Sequence, residues 1–292
     1  MEKLKLKSRA KINLGLDVVG KYKNGYHKVD MVMQEIELYD TLIFTKLKEN
    51  EGIIIECDSK IIPTGPKNLV YKAIKELNKI TDININLKIN LKKNIPISAG
   101  LGGGSSNAAN TIKACNTLYN LNLSIEKMQE IGKKVGADVP FFIQGGCCRA
   151  QGIGEKLKKI QGLKKGWLLL VKPNIGISTK KIYKQLNYPL INNHPKIDNI
   201  IKGLKDNDIY KVSKELGNVL QDITLNNHSV VRNIKNKMED TKALGSLMSG
   251  SGATIFGIFK NYEEGNTAYK MFKKIYNETY LIRPFNGGKY GE

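Results

Sequence analysis

The stretch Pro96-Ile97-Ser98-Ala99-Gly100-Leu101-Gly102-Gly103-Gly104-Ser105-Ser106 leads directly into Asn107-Ala108-Ala109 and a helical pattern. Glycine opens backbone conformations closed to other residues and removes the side chain that would hold a ligand away. The first N–H groups of a helix lack intrahelical partners and carry the positive end of its dipole. Together these properties predict a phosphate-binding loop at a helix N-terminus, contributed by Pro96 through Ser106. Two common glycine loops are excluded. No Gly-Lys-Ser/Thr triplet occurs, so this is not a Walker A loop. Ser105 stands where a third glycine would follow Gly100 and Gly102 in a Rossmann fingerprint. Ala108, Ile112, Cys115 and Tyr119 predict the buried stripe of a helix starting near Ser105 or Ser106.

Strong alternation opens the chain. Leu4, Leu6, Ser8, Ala10, Ile12, Leu14 and Leu16 oppose Lys5, Lys7, Arg9, Lys11, Asn13 and Asp17. This predicts a half-buried strand with Lys11 and Asn13 on its polar face. Gly20 to Gly25 reads as a turn, and strands follow over 31–48 and 53–57. A helix is expected over 66–80, then a strand over 83–91 running into the glycine loop. Ser124 reads as the N-cap of a helix ending at Gly136. In Gly136-Ala137-Asp138-Val139-Pro140-Phe141-Phe142, Asp138 is held at an element end beside apolar surface, as a functional carboxylate or as a turn or capping aspartate. A buried strand is expected at 167–171, helices at 179–186, 208–220, 230–239 and 267–276, and a strand at 253–259 after Ser249-Gly250-Ser251-Gly252. Strands and helices mix without regular βαβ alternation, which predicts an α+β fold.

At 292 residues the chain exceeds the usual size of one domain, so two are expected, with a boundary near the basic stretch that starts at Lys156. No apolar run approaches the ~20 residues needed to cross a bilayer, and the N-terminus lacks the apolar core of a signal peptide. A cytoplasmic protein without membrane partners is expected. The net charge of +20 comes from lysines scattered through every element. A strongly basic chain can point to nucleic acid or to anionic small substrates, but that scatter reads as a general compositional bias and not a patch, so no nucleic-acid partner is expected. Cys57, Cys115, Cys147 and Cys148 form no C-x-x-C pair, and the three histidines are dispersed, so no structural zinc site is expected and reduced thiols are.

The Arg9-Ala10-Lys11-Ile12-Asn13-Leu14 strand, the P-x-x-x-G-L-G-G-G-S-S-x-A-A motif at Pro96–Ala109 and the Met248-Ser249-Gly250-Ser251-Gly252-Ala253-Thr254 loop resemble, in order, the three motifs of the GHMP kinase superfamily (galacto-, homoserine, mevalonate and phosphomevalonate kinases). The resemblance covers nearly the whole chain. It implies a two-domain α+β fold, with a first domain of a type shared with ribosomal proteins (1–155), a ferredoxin-like second domain (156–292) and an active site in the cleft between them. Asn24-Gly25-Tyr26-His27, Gly136–Phe142 and Gly152-Ile153-Gly154-Glu155 resemble a subgroup whose acceptor is a sugar alcohol linked through a diphosphate to cytidine, a step of non-mevalonate isoprenoid synthesis.

By this resemblance Asp138 is the base and Lys11 the cation beside the transferring phosphoryl group. ATP binds at Pro96 to Ser106 with Asn68 near the adenine, although Asn68 reads equally well as a plain helix N-cap. Asn13, Tyr26, His27, Thr179, Tyr183, Gly250, Ser251 and Gly252 contact the substrate. His27 and Tyr26 address the cytosine, with Tyr183 either its other aromatic face or a helix-core residue. Magnesium arrives with ATP, without a protein metal cage. A monomer or weak homodimer is expected. Homoserine- or mevalonate-type kinases, an idle relative used for ligand sensing, and a basic nucleic-acid-binding protein are the competing readings.

Overall fold

The computed structural model describes residues 2–287. The chain opens with two long antiparallel strands, β1 (Lys3–Lys21) and β2 (His27–Lys46), joined by a tight turn. β3 (Ile53–Cys57), α1 (Leu69–Asn78), β4 (Leu87–Lys92), α2 (Gly103–Leu118), α3 (Ile125–Val135), α4 (Val139–Gln144), β5 (Cys147–Gly152) and β6 (Lys156–Lys159) follow. The later part comprises β7 (Trp167–Lys172), α5 (Thr179–Gln185), a 3₁₀ turn at Tyr188–Leu190, α6 (Ile197–Lys205), α7 (Ile209–Lys214), β8 (Gly217–Asn218), α8 (Gln221–Asn227), α9 (Ser229–Glu239), β9 (Gly245–Met248), β10 (Ile255–Phe259), α10 (Tyr262–Lys273) and β11 (Glu278–Ile282).

The first sheet runs β3-β4-β2-β1-β8, and β2 exchanges partners along its length. Residues 29–34 of β2 pair with β5, and residues 41–46 pair with β4. The second sheet, β11-β7-β10-β9, is antiparallel throughout. α2 packs on β1 and β2, with α1, α3 and α4 around it, while α9 and α10 cover the second sheet. A clasp closes the arrangement: beyond β11, Pro284 bridges to Ile36 and the Phe285 N–H donates to the Glu35 carbonyl at 2.8 Å.

Two register shifts in β1, at Arg9/Ala10 and Asn13/Gly15, divide what alternation predicts as a single apolar face. At the first shift Glu37 and Leu38 of β2 have no partner in β1, and at the second Leu14 of β1 has none in β2; such bulges bend the strand and re-aim its side chains. Leu6, Leu16 and Val18 join the core beneath the helices. Ala10, Ile12 and Leu14 join a different cluster, packed against Leu168, Leu170, Phe256 and Ile258 of the second sheet. The expected half-buried strand is therefore buried on both faces in its middle, and Lys11 and Asn13 are 4% and 1% exposed.

Other departures have local causes. The strand expected at 83–91 begins only at Leu87, because the chain turns through Asp82 and the Asn78 side chain accepts from Ile85 N–H. α2 starts at Gly103, two residues before Ser105, since left-handed Gly102 caps it. The helix expected at 208–220 stops at Lys214, and Gly217–Asn218 instead pair in parallel with β1. α10 starts at Tyr262 because Asn261 accepts from Glu264 N–H. Ser124 does cap α3.

Phe256 is fully buried in the cluster that joins the two sheets. Phe256→Ala is expected to lower the unfolding free energy by about 3–5 kcal/mol, measured by denaturant titration.

Candidate active site

A cleft of about 1070 Å³ is lined by the glycine-rich loop, the middle of β1, the turn before β2, the start of α1, Asp138, α5 and the 250–251 loop. Six lysines line it (Lys11, Lys21, Lys67, Lys93, Lys180 and Lys184), and Asp138 is the carboxylate among the lining residues. Such a surface favours polyanions.

The glycine loop is shaped by what it touches. A Cβ at Gly100 would stand 2.2 Å from the Ser249 carbonyl oxygen, and one at Gly102 would stand 2.7 Å from the Phe142 ring. Both residues have left-handed φ, 75° and 71°. The first bond inside α2 runs from Ser106 N–H to the Gly102 carbonyl, so the N–H groups of Gly103, Gly104 and Ser105 have no partner within the helix. Two glycine loops interlock here: Ser249 Oγ donates to the Gly100 carbonyl at 3.1 Å, and Thr254 N–H donates to the Ala99 carbonyl at 3.4 Å.

Lys11 is attached to the same loop, its N–H donating to the Leu101 carbonyl at 3.0 Å. Its ammonium donates to Asn13 Oδ1 at 2.7 Å and lies 3.9 Å from Asp138 Oδ2. Burial holds the Lys11 pKa below the ordinary lysine value of 10.5, with Asp138 opposing that shift. Asp138 occupies the N-cap position of α4, yet its side chain makes no capping bond there. The carboxylate is therefore left to face Lys11. Pro140 in the first turn fixes the helix start, and Lys113 from α2 donates to the Phe142 carbonyl near the other end at 2.7 Å. The helix that follows the glycine loop thus also anchors the helix that Asp138 precedes.

Farther along the cleft, the His27 and Tyr183 rings lie 5.2 Å apart and tilted by 43°. Burial first, then Lys21, lowers the His27 pKa below 6.5. The neutral imidazole offers one donor and one acceptor. Burial, reinforced by Asp138, pushes the Tyr183 phenol up. Tyr26 is 61% exposed on the rim. Thr179 Oγ1 pairs with Ser251 Oγ at 2.8 Å, joining α5 to the second glycine loop. Asn68 lines the cleft but caps α1, accepting from Val70 N–H at 2.9 Å and donating to the Pro63 carbonyl at 2.6 Å.

Of the residues singled out in the sequence, Ser106 and Gly252 do not line the cleft; the others do. Ser106 is buried within α2, and Gly252 packs against Met248, Thr224 and Ile177. Sequence reasoning missed Lys21, Lys67, Lys93, Lys180 and Lys184, which carry no mark among 47 basic residues. It also missed Asn107, whose buried Oδ1 has no hydrogen-bond partner among the described residues and which lines the cleft, and the apolar slot of Ile62, Pro63, Leu69 and Leu91.

Residues 68–146 match the family model of the GHMP kinase N-terminal domain, and residues 200–278 match that of the GHMP kinase C-terminal domain. A protein of Alkaliphilus metalliredigens named 4-diphosphocytidyl-2-C-methyl-D-erythritol kinase is 41% identical over 292 residues, covering 100% of both chains. One of Clostridium novyi with the same name is 45% identical over 274 residues, 94% of this chain and 97% of its own. A crystal structure of 4-(cytidine 5'-diphospho)-2C-methyl-D-erythritol kinase superposes with a TM-score of 0.83 at 25% identity, covering 98% of this chain and 100% of that one. The homoserine kinase of Cytophaga hutchinsonii shares the fold, with a TM-score of 0.79 at 16% identity over 99% of this chain and 96% of its own.

Gly102→Ala forces the new Cβ into Phe142 at a left-handed position and is expected to weaken ADP binding at least about tenfold in calorimetric titration. Gly104→Ala, whose Cβ would meet only a Leu69 methyl at 3.6 Å, should leave affinity within about twofold, as a permitted helix substitution.

Proposed function

The chain belongs to the GHMP kinases, ATP-dependent small-molecule kinases, and from that premise we propose that it phosphorylates the 2-hydroxyl of 4-diphosphocytidyl-2-C-methyl-D-erythritol in non-mevalonate isoprenoid synthesis. The observation that carries this reading is the Lys11–Asp138 pair, 3.9 Å apart, in one cleft with the first N–H groups of α2, which have no partner within the helix, and the His27–Tyr183 ring pair. Full-length relatives carrying that enzyme name support the acceptor.

Phosphoryl transfer asks a protein chiefly for positioning and charge stabilisation. In this reading the γ-phosphate of ATP rests at the start of α2, against the Gly100–Ser105 backbone. The acceptor hydroxyl lies between that phosphate and Asp138. Asp138 Oδ takes the hydroxyl proton as the new O–P bond forms and the bond to ADP breaks. Lys11, desolvated and fixed by Asn13, stabilises charge on the transferring group. His27 reads the edge of the cytosine, with Tyr183 and Tyr26 against its faces. Thr179 and the 250–252 loop approach the acceptor's phosphates, though Gly252 contributes through its neighbours and not from the cleft wall. Ser106 serves by seating the first turn of α2. The Asn68 carboxamide is used in capping, so its part in adenine binding is to fix the start of α1 beside the apolar slot.

Magnesium belongs to the same proposal, carried in by the triphosphate as part of the substrate. The cleft offers Asp138 and the orphaned Asn107 Oδ1, a donor set suited to meeting a hydrated ion already held by phosphates and unlike a protein cage. When bound, the ion would neutralise phosphate charge. The unit boundary at 155/156 is likewise proposed; β6 still pairs with β5, and the change of sheets follows a few residues later, between Lys159 and Trp167. Among the described residues no helix is long and apolar enough to cross a membrane. A cytoplasmic location is proposed, supported by four free cysteines. A monomer or weak homodimer without a nucleic-acid partner completes the reading, supported by the gathering of lysines in a cleft of small-molecule size.

In a coupled ADP-release assay with magnesium, the cytidyl substrate is expected to turn over while homoserine and mevalonate do not. Turnover of another alcohol would overturn the acceptor assignment. Asp138→Asn should lower kcat by about 10²–10⁴-fold. The working form of Lys11 is the ammonium, and its pKa is lowered. kcat/KM should therefore fall as pH rises, with a midpoint below 10.5, and Lys11→Arg should lift that alkaline limb out of range.

A further inference from the structure

The loop that follows β9 lies between the phosphate loop and α5, and its backbone carbonyls are accounted for one by one. Asn218 Nδ2 donates to the Met248 carbonyl at 2.8 Å and to the Gly250 carbonyl at 2.7 Å. The Ser249 carbonyl accepts from Gly252 N–H at 3.0 Å, and the Ser251 carbonyl accepts from Thr224 Oγ1 at 3.2 Å. The amides of Gly250 and Ser251 donate no hydrogen bond among the described residues, and both residues line the cleft. Lys11 Nζ is 3.4 Å from the position a Gly250 Cβ would occupy. With its carbonyls tied down and two N–H groups unpaired, the loop offers the cleft donors in place of acceptors. This is the electrostatic character of an anion-binding nest.

Asn218 is itself fixed. It is 8% exposed, its Oδ1 accepts from Leu220 N–H at 3.0 Å, and it pairs in parallel with Leu16 on β1, the strand that carries Lys11 and Asn13. Neither Asn218 nor Thr224 touches the cleft, so both act through the loop.

We propose that Asn218 and Thr224 are positioning residues that lock the carbonyls of the 248–251 loop away from the cleft and make its N–H groups a receptor for the diphosphate of the acceptor, separate from the ATP-phosphate site on α2. This rests on the acceptor being a cytidine diphosphate derivative, as proposed above. Asn218→Asp keeps the acceptor for Leu220 but replaces the double donor with an anion facing two carbonyls. Thr224→Val removes the hydroxyl donor at nearly constant volume.

The test is calorimetric titration of CDP, cytidine and ADP into wild type and both variants, with thermal melting as the check on folding. Wild type is expected to bind CDP at least tenfold more tightly than cytidine. Asn218→Asp should weaken CDP binding at least tenfold and Thr224→Val about threefold, with cytidine and ADP each within twofold. Wild type that binds neither CDP nor cytidine overturns the acceptor reading and this inference with it. Wild type that binds the two equally, variants whose CDP affinity is unchanged, or variants in which CDP and cytidine weaken in parallel overturn the inference alone. Where Asn218→Asp does not fold, Thr224→Val decides.

Discussion

The cleft depends on the contact between two glycine-rich loops that meet at Gly100 and Ser249, 149 residues apart in the chain. At Gly100 the backbone passes so close to the Ser249 carbonyl that a Cβ would stand 2.2 Å from it. No side chain can be accommodated there, so the approach is limited only by backbone radii. That contact positions the start of α2, the Lys11 backbone bonded to Leu101, and the Ser249–Gly252 turn relative to one another. It requires the two sheets to be seated at one distance. Ala10, Ile12 and Leu14, packed against Leu168, Phe256 and Ile258, provide that seat, and the Pro284–Phe285 clasp on β2 adds a second. Close packing in this layer leaves little freedom for the loops to separate.

The same architecture explains how a lysine comes to be buried beside Asp138 in the cleft. The register shifts at Arg9/Ala10 and Asn13/Gly15 bound a short segment of β1 whose apolar residues face the second sheet, and Lys11 and Asn13 are the residues on its other face. Burying an ammonium is costly unless it is paired and hydrogen-bonded. Asn13 Oδ1 at 2.7 Å and Asp138 at 3.9 Å offset that cost, and the lowered pKa records what remains. In low dielectric such a charge acts more strongly on a transferring phosphoryl group than one in water. In the proposed mechanism its approach to Asp138 also keeps a cation beside the carboxylate that accepts a proton among phosphate anions.

What was legible in the sequence was what backbone chemistry demands. Gly100 and Gly102 mark positions no other residue fits, so the loop and its helix announced themselves, although the left-handed Gly102 moved the helix start to Gly103. Helix caps at Ser124 were readable for the same reason. Bulges were not: strict alternation from Leu4 to Leu16 carries no sign of a register shift, and the partner strand imposes it. Asn218 was hidden because β8 is two residues long and lies inside an amphipathic stretch that reads as helix. Local pattern could not reveal its pairing with β1, some 200 residues away. The cleft lysines were hidden by number, since only the fold selects six of them.

The two loops solve one electrostatic problem by different means. A helix start presents unpaired N–H groups because its geometry leaves them over, and the dipole adds to their field. A turn without a helix behind it has no such bias, and its carbonyls are free to face the ligand unless something holds them. At 248–251 that restraint comes from the Asn218 amide, the Thr224 hydroxyl and one turn bond. A kinase whose acceptor already carries phosphates must hold two anionic groups in one cleft while a third moves between its substrates. Like charges so placed repel. In the proposed arrangement two separate nests, with Lys11 between them, keep each anion neutralised by its own donors, so that the repulsion does not have to be overcome at the moment of transfer.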